Sequence, residues 1–75
     1  MKGLTRLQRD CVRHAAFMPL KFVDPHYVAS GGRSFSVVTV ESLRVRCLLQ
    51  RSDAYTVDVT DEGSALADEL GGPVQ

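Results

Sequence analysis

Between Tyr55 and Leu70 the spacing of apolar residues changes from every second position to every fourth, and the change falls on one threonine. Tyr55, Val57 and Val59 alternate with Thr56 and Asp58, the period of a half-buried strand. Leu66 and Leu70 then recur at helical spacing and form the expected buried edge of a helix. Thr60 stands at the junction, where a hydroxyl can cap the helix. Asp61 and Glu62 follow in the first turn, opposite the positive end of the helix dipole. Gly71-Gly72-Pro73 ends the pattern. A strand that passes into a helix through one capping residue points to an α+β fold.

The N-terminal part predicts a second helix, Thr5–Phe17. Thr5 and Gln8 have capping-box spacing, the hydroxyl serving one exposed N–H and the amide reaching back to another. Leu4, Leu7, Cys11, Ala15 and Met18 fall on one expected apolar side, with His14 beside Leu7 as a hydrogen-bonded core histidine. Arg6, Arg9 and Arg13 fall on the opposite side, within an arc of roughly 60° at helical periodicity. Arginine in a first turn opposes the helix dipole, so Arg6 is not there to stabilise the helix.

Pro19 closes that helix, and residues 20–38 are rich in β-branched and aromatic side chains. Two or three short extended pieces are expected, at Leu20–Val23, Tyr27–Ala29 and Ser34–Val37, with a short helix near Pro25–Ala29 as the alternative. An Asp24-Pro25 turn separates the first two, and Gly31-Gly32 supplies a bend before the third. Val23, Val28, Phe35 and Val37 are the expected cover for the helices. Thr39 is the expected cap of a third helix running to Arg46–Gln50, followed by a turn at Ser52-Asp53.

Length sets the scale: 75 residues make one domain, 1–75, with 71–75 expected as a flexible tail. A chain this short buries only about 60% of its unfolded surface, which leaves room for a homodimer. The 44% apolar and 24% charged residues argue against disorder. The opening "MKGLTRLQRD" lacks the apolar stretch of a signal peptide, and no run approaches the roughly 18 apolar residues of a membrane span, so a cytoplasmic protein is expected. Cys11 and Cys47 then read as reduced, buried small hydrophobes. The zero net charge hides a partition. Residues 1–51 carry nine basic against three acidic side chains, a net +6, whereas 52–75 carry six acidic and no basic ones. Such asymmetry suggests an anionic partner or charge pairing within or between chains.

The stretch "TVESLRVRCLLQRSDAYTVDVTDEGSALADEL" resembles the C-terminal half of winged-helix domains in regulators of the multiple-antibiotic-resistance repressor type. Val40, Leu43, Leu48 and Leu49 match that family's helix and its exit, and Val57, Val59 and "TDEGSAL" match the returning strand and next helix. The chain is also similar to short uncharacterised phage and bacterial proteins with an "LT…Q" opening helix and this same ending. The resemblance implies a minimal winged-helix-like domain of about three helices with a short β-hairpin, or wing, whose first strand is Leu49–Arg51. Cys47 stands where the family usually has glycine, implying a less sharp helix exit. The wing is acidic for a phosphate contact, with Asp53 and Asp58 against the lone Arg51, and no second helix-turn-helix helix precedes Thr39.

These features favour binding over catalysis. No glycine-rich phosphate loop is present, nothing orients His14 beside Cys11 as a base, and the spacing of Cys11, His14, His26 and Cys47 fits no compact metal site. No cofactor, no metal and no small-molecule substrate is expected. The leading expectation is a small DNA-binding, transcription-related regulator that touches phosphates through Arg6, Arg9 and Arg13, joined by Lys2, with Arg44, Arg46 and Arg51 from the second half. The outward face of the Thr39 helix would centre on Glu41, Ser42 and Val45, a poor reader of bases because Glu41 repels phosphate. The alternative is a protein-binding module, such as a phage or mobile-element protein that inhibits a host defence or transcription complex.

Overall fold

The computed structural model describes residues 3–73. In chain order the elements are α1 (Arg6–Phe17), β1 (Leu20–Val23), β2 (His26–Val28), a 3-10 turn (Ser30–Gly32), β3 (Ser34–Ser36), α2 (Val37–Val45), β4 (Leu49–Asp53), β5 (Thr56–Val59) and α3 (Asp61–Glu69). The strands form one antiparallel sheet in the order β3-β2-β1-β5-β4. This is a small α+β fold, consistent with a minimal winged-helix-like domain. The β4–β5 hairpin lies where a wing is expected, and β1, β2, the 3-10 turn and β3 occupy the chain between α1 and α2.

Register decides which side chains meet. Leu20 pairs with Val57, Phe22 with Tyr27, and Tyr27 with Phe35. Paired residues share a face, so these five form the apolar row on which the helices lie. α1 packs against α2, α3 and β5 and contributes Cys11, Val12, His14 and Ala15 to the interior. The other face of the sheet carries Lys21, Val23, His26, Ser34 and Ser36, all exposed.

The capping box at Thr5 is complete: Gln8 N–H donates to the Thr5 hydroxyl at 3.1 Å, and Thr5 N–H donates to Gln8 Oε1 at 2.9 Å. The buried arc of α1 is turned toward Val12, however, because α3 packs on that flank. Leu7 and Met18, expected inside, are 44% and 51% exposed. Val23 and Val37 are likewise exposed, and Tyr27 and Leu20 fill the places expected of them.

Thr39 does not cap α2. The helix begins three residues earlier, with Ser36 Oγ accepting from Thr39 N–H at 3.2 Å, and Thr39 itself is buried. It ends at Val45 rather than running into residues 46–50. Its exit is tight: Leu48 N–H reaches Leu43 O and Cys47 N–H reaches Arg44 O, both at 3.0 Å. That double bond pattern is a Schellman cap, and Cys47 holds the left-handed position at φ 63° that glycine normally fills. Cys47 is exposed, not buried. The β4–β5 turn falls at Ala54-Tyr55, two residues beyond Ser52-Asp53, so Tyr55 lies outside the strand and Thr56 is buried beside Val57.

Thr60 caps α3, accepting from Gly63 N–H at 3.0 Å while its hydroxyl donates to Cys47 O. Gly63 sits hard against the α2 exit, and a Cβ built on it would lie 2.0 Å from Leu48 O. The glycine of "TDEG" is therefore a packing requirement where α3 crosses the backbone. At the far end, Gly72 N–H reaches Ala67 O and Gly71 N–H reaches Asp68 O, a second Schellman cap. Residues 71–73, expected to be tail, thus begin as an ordered helix end; Val74 and Gln75 lie outside the described residues.

Candidate functional site

Of the α1 arginines, Arg6 and Arg9 stand on the outward side that the rotation predicts, and Arg13 turns to α3. Arg6 and Arg9 are exposed. Arg9 Nη1 donates back to Leu4 O at 3.2 Å, which bends its guanidinium over the N-terminal arm. Arg13 is half-buried and donates from Nε to Gly72 O at 2.9 Å, so it closes the C-terminal end of α3. Lys2 lies outside the described residues.

On α2 the expected site residues are engaged internally. Arg44 Nη1 contacts both Glu41 oxygens, at 2.7 and 2.8 Å, and the carboxylate raises the guanidinium pKa above its ordinary value. Ser42 Oγ donates to Thr39 O at 2.7 Å and accepts from Gln8 Nε2 at 2.8 Å, which joins α2 to α1. The most exposed side chains of α2 are apolar: Val38 is 78% exposed and Val45 82%. Arg46, the C-cap residue, is exposed and turns toward the N-terminal arm. A Cβ on Gly3 would lie 3.3 Å from Arg46 Nη2, and Gly3 itself adopts φ 90°.

The hairpin contributes little positive charge. Arg51 is exposed on β4, the edge strand, while Asp53 accepts from Tyr55 N–H at 2.8 Å. That hydrogen bond holds the Asp53 carboxyl below its ordinary range. Among the described residues two ion pairs form, Arg33–Asp10 at 3.4 Å and Arg44–Glu41 at 2.7 Å. Arg6, Arg9, Arg13, Arg46 and Arg51 meet no carboxylate within ion-pairing reach there.

Arg33 carries no local sequence signal, yet it reaches across to Asp10 and lies 5.0 Å over the Phe35 ring. It thereby pins the start of β3 to α1 above His14, whose ring centroid is 5.6 Å from that of Phe35. His14 Nδ1 is buried without a hydrogen-bond partner, contrary to the expectation of a bonded core histidine. Burial first, then the neighbouring Arg33, holds the imidazole pKa below its ordinary value; Asp10 opposes the shift. Burial also pushes the Cys11 thiol up to about 12, leaving it protonated and a poor nucleophile or metal ligand. Among the described residues no group of three or more His, Cys, Asp or Glu side chains converges.

On the outer face of the sheet an open groove of about 330 Å³ runs over Met18, Pro19, Lys21, Val23 and Val28. Its lining is apolar apart from the Lys21 ammonium and Ser30. Among the described residues no helix is long and apolar enough to cross a membrane. The chain matches no protein-family model, no curated protein and no solved structure.

Proposed function

We propose that this chain is a small, non-enzymatic, cytoplasmic DNA-binding regulator of winged-helix type that grips the phosphate backbone and reads few bases. The observation that carries this reading is the segregation of charge. Arg6, Arg9 and Arg46 are exposed and meet no carboxylate among the described residues, while the acids of α3 lie on a different element. The order α1, sheet, α2, β4–β5 hairpin supports the winged-helix placement. Sequence readout is weak in this reading because the α2 surface offers Val38, Val45 and a neutralised Arg44 where a reading helix needs free hydrogen-bonding groups.

Fluorescence anisotropy with a labelled duplex over a salt series tests it. With three to four phosphate contacts, log K falls against log salt with a slope of about −3, and unrelated sequences bind alike. Absence of binding at about 50 mM salt overturns the proposal. The exposed Val38 and Val45, which recur on one line of α2, favour a second reading as a protein-binding module. In that case Val38→Ser with Val45→Ser, which adds no charge beside Arg46, abolishes partner capture, whereas the DNA reading leaves anisotropy nearly unchanged.

A further inference from the structure

Two arginines distant in sequence converge on one short piece of backbone. Arg9 leaves the first half of α1 and returns to Leu4 O at 3.2 Å. Arg46 leaves the end of α2 and brings Nη2 to 3.3 Å from the position of a Gly3 Cβ. Gly3 and Leu4 are adjacent, their Cα atoms about 3.8 Å apart, so both guanidiniums lie on the same arm. Gly3 makes this approach available: it has no side chain to fill the space and it tolerates φ 90°. α1 has no acidic residue in its first turn, so its positive dipole end adds to the two cations. Neither arginine has an ion-pair partner among the described residues. Arg13 belongs to a different structural unit, the α3 terminus.

Building on the DNA-binding reading above, we infer that the Gly3–Leu4 arm with Arg9 and Arg46 is the anchor for backbone phosphates of duplex DNA. The stripe Arg6-Arg9-Arg13 then does not act as a unit. Arg9 and Arg46 each take a phosphate oxygen, Arg6 extends the contact along α1, and Arg13 serves stability alone. The anchor joins two arginines with 36 residues of chain between them, so it exists only in the folded domain.

The test uses the intact chain, a labelled duplex and salt-series anisotropy, with urea midpoints recorded for every variant. Arg9→Gln with Arg46→Gln is expected to lower the salt slope by about 0.9 for each lost contact. At 0.1 M salt that corresponds to about an eightfold loss per contact by the same counterion relation. Arg9→Lys with Arg46→Lys keeps most of the slope, because a point charge still displaces counterions. Arg13→Gln lowers the urea midpoint and leaves the slope unchanged. Three results overturn the inference in distinguishable ways. A double glutamine variant that binds with the wild-type slope removes the anchor and leaves the DNA reading standing. An Arg13→Gln slope loss equal to that of the double variant restores the stripe. A wild-type chain that binds no DNA at low salt removes the DNA reading itself.

Discussion

Cys47→Gly should make this protein more stable. Cys47 holds φ 63° at the residue after the α2 C-cap, a conformation in which an L side chain crowds the following carbonyl. The cost is about 1–2 kcal/mol for an ordinary residue, and glycine escapes it. Glycine also has more freedom to lose on folding, which returns about 0.5–1 kcal/mol. The side chain is exposed, so little burial is forfeited. The net expectation is a gain of about 0.5–1 kcal/mol, or a melting temperature about 3–6 °C higher for a domain of this size. Urea unfolding followed by circular dichroism, in reducing buffer, reads it directly: the midpoint rises and the m-value stays constant. Cys47→Ser controls for loss of the thiol and should move the midpoint little. Cys47→Val, β-branched at a left-handed position, should lower it. A Cys47→Gly midpoint at or below wild type, or a valine variant as stable as wild type, would refute the assignment of strain to this residue.

Two further expectations follow from packing and from titration. Gly63→Ala, a mild change in most helices, should cost about 1–3 kcal/mol or more, because the new methyl would lie 2.0 Å from the Leu48 carbonyl and α3 would have to lift from the α2 exit; the same urea assay measures it. His14 has a folded pKa below the ordinary 6.5, so on acidification the unfolded chain takes up the proton first. Stability is then full above about pH 7.5 and declines as pH falls through 6.5 toward the folded value. Urea midpoints between pH 7.5 and 5.5 should trace that decline, and His14→Leu should flatten it. An equally steep decline in the leucine variant would place the titration elsewhere.

Local rules made the ends of the chain legible. The Thr5-Gln8 box and the Thr60-Asp61-Glu62 start need only neighbouring residues, and both stand where the spacing puts them. Ser36 and Thr39 show where such rules run short. Both are competent caps three residues apart, and Val37-Val38 between them favours a strand by side-chain type. Packing decides for Ser36, since starting the helix there turns Thr39, Val40 and Leu43 inward. Leu7 and Met18 lie outside the buried arc of α1 for a similar reason: periodicity gives the width of an apolar face, and the neighbour, here α3, selects its centre. The candidate site divides the same way. Outward placement of Arg6 and Arg9 follows from rotation alone. The approach of Arg46 to Gly3, the bond from Arg13 to Gly72 and the bridge from Arg33 to Asp10 join residues far apart in the chain, and no local spacing encodes them.

The Thr60 hydroxyl has a consequence for how the molecule breathes. It accepts from the first turn of α3 and donates to Cys47 O at the α2 exit, while Thr60 N–H reaches Leu48 O at 3.1 Å. Neither helix end can open without releasing the other, although twelve residues separate Cys47 from Thr60. In hydrogen exchange the amides of Leu48, Thr60 and Gly63 therefore belong to one opening event with a shared protection factor. Two ends that would fray independently in isolated peptides become a single cooperative latch, and the β4–β5 hairpin between them is enclosed by it.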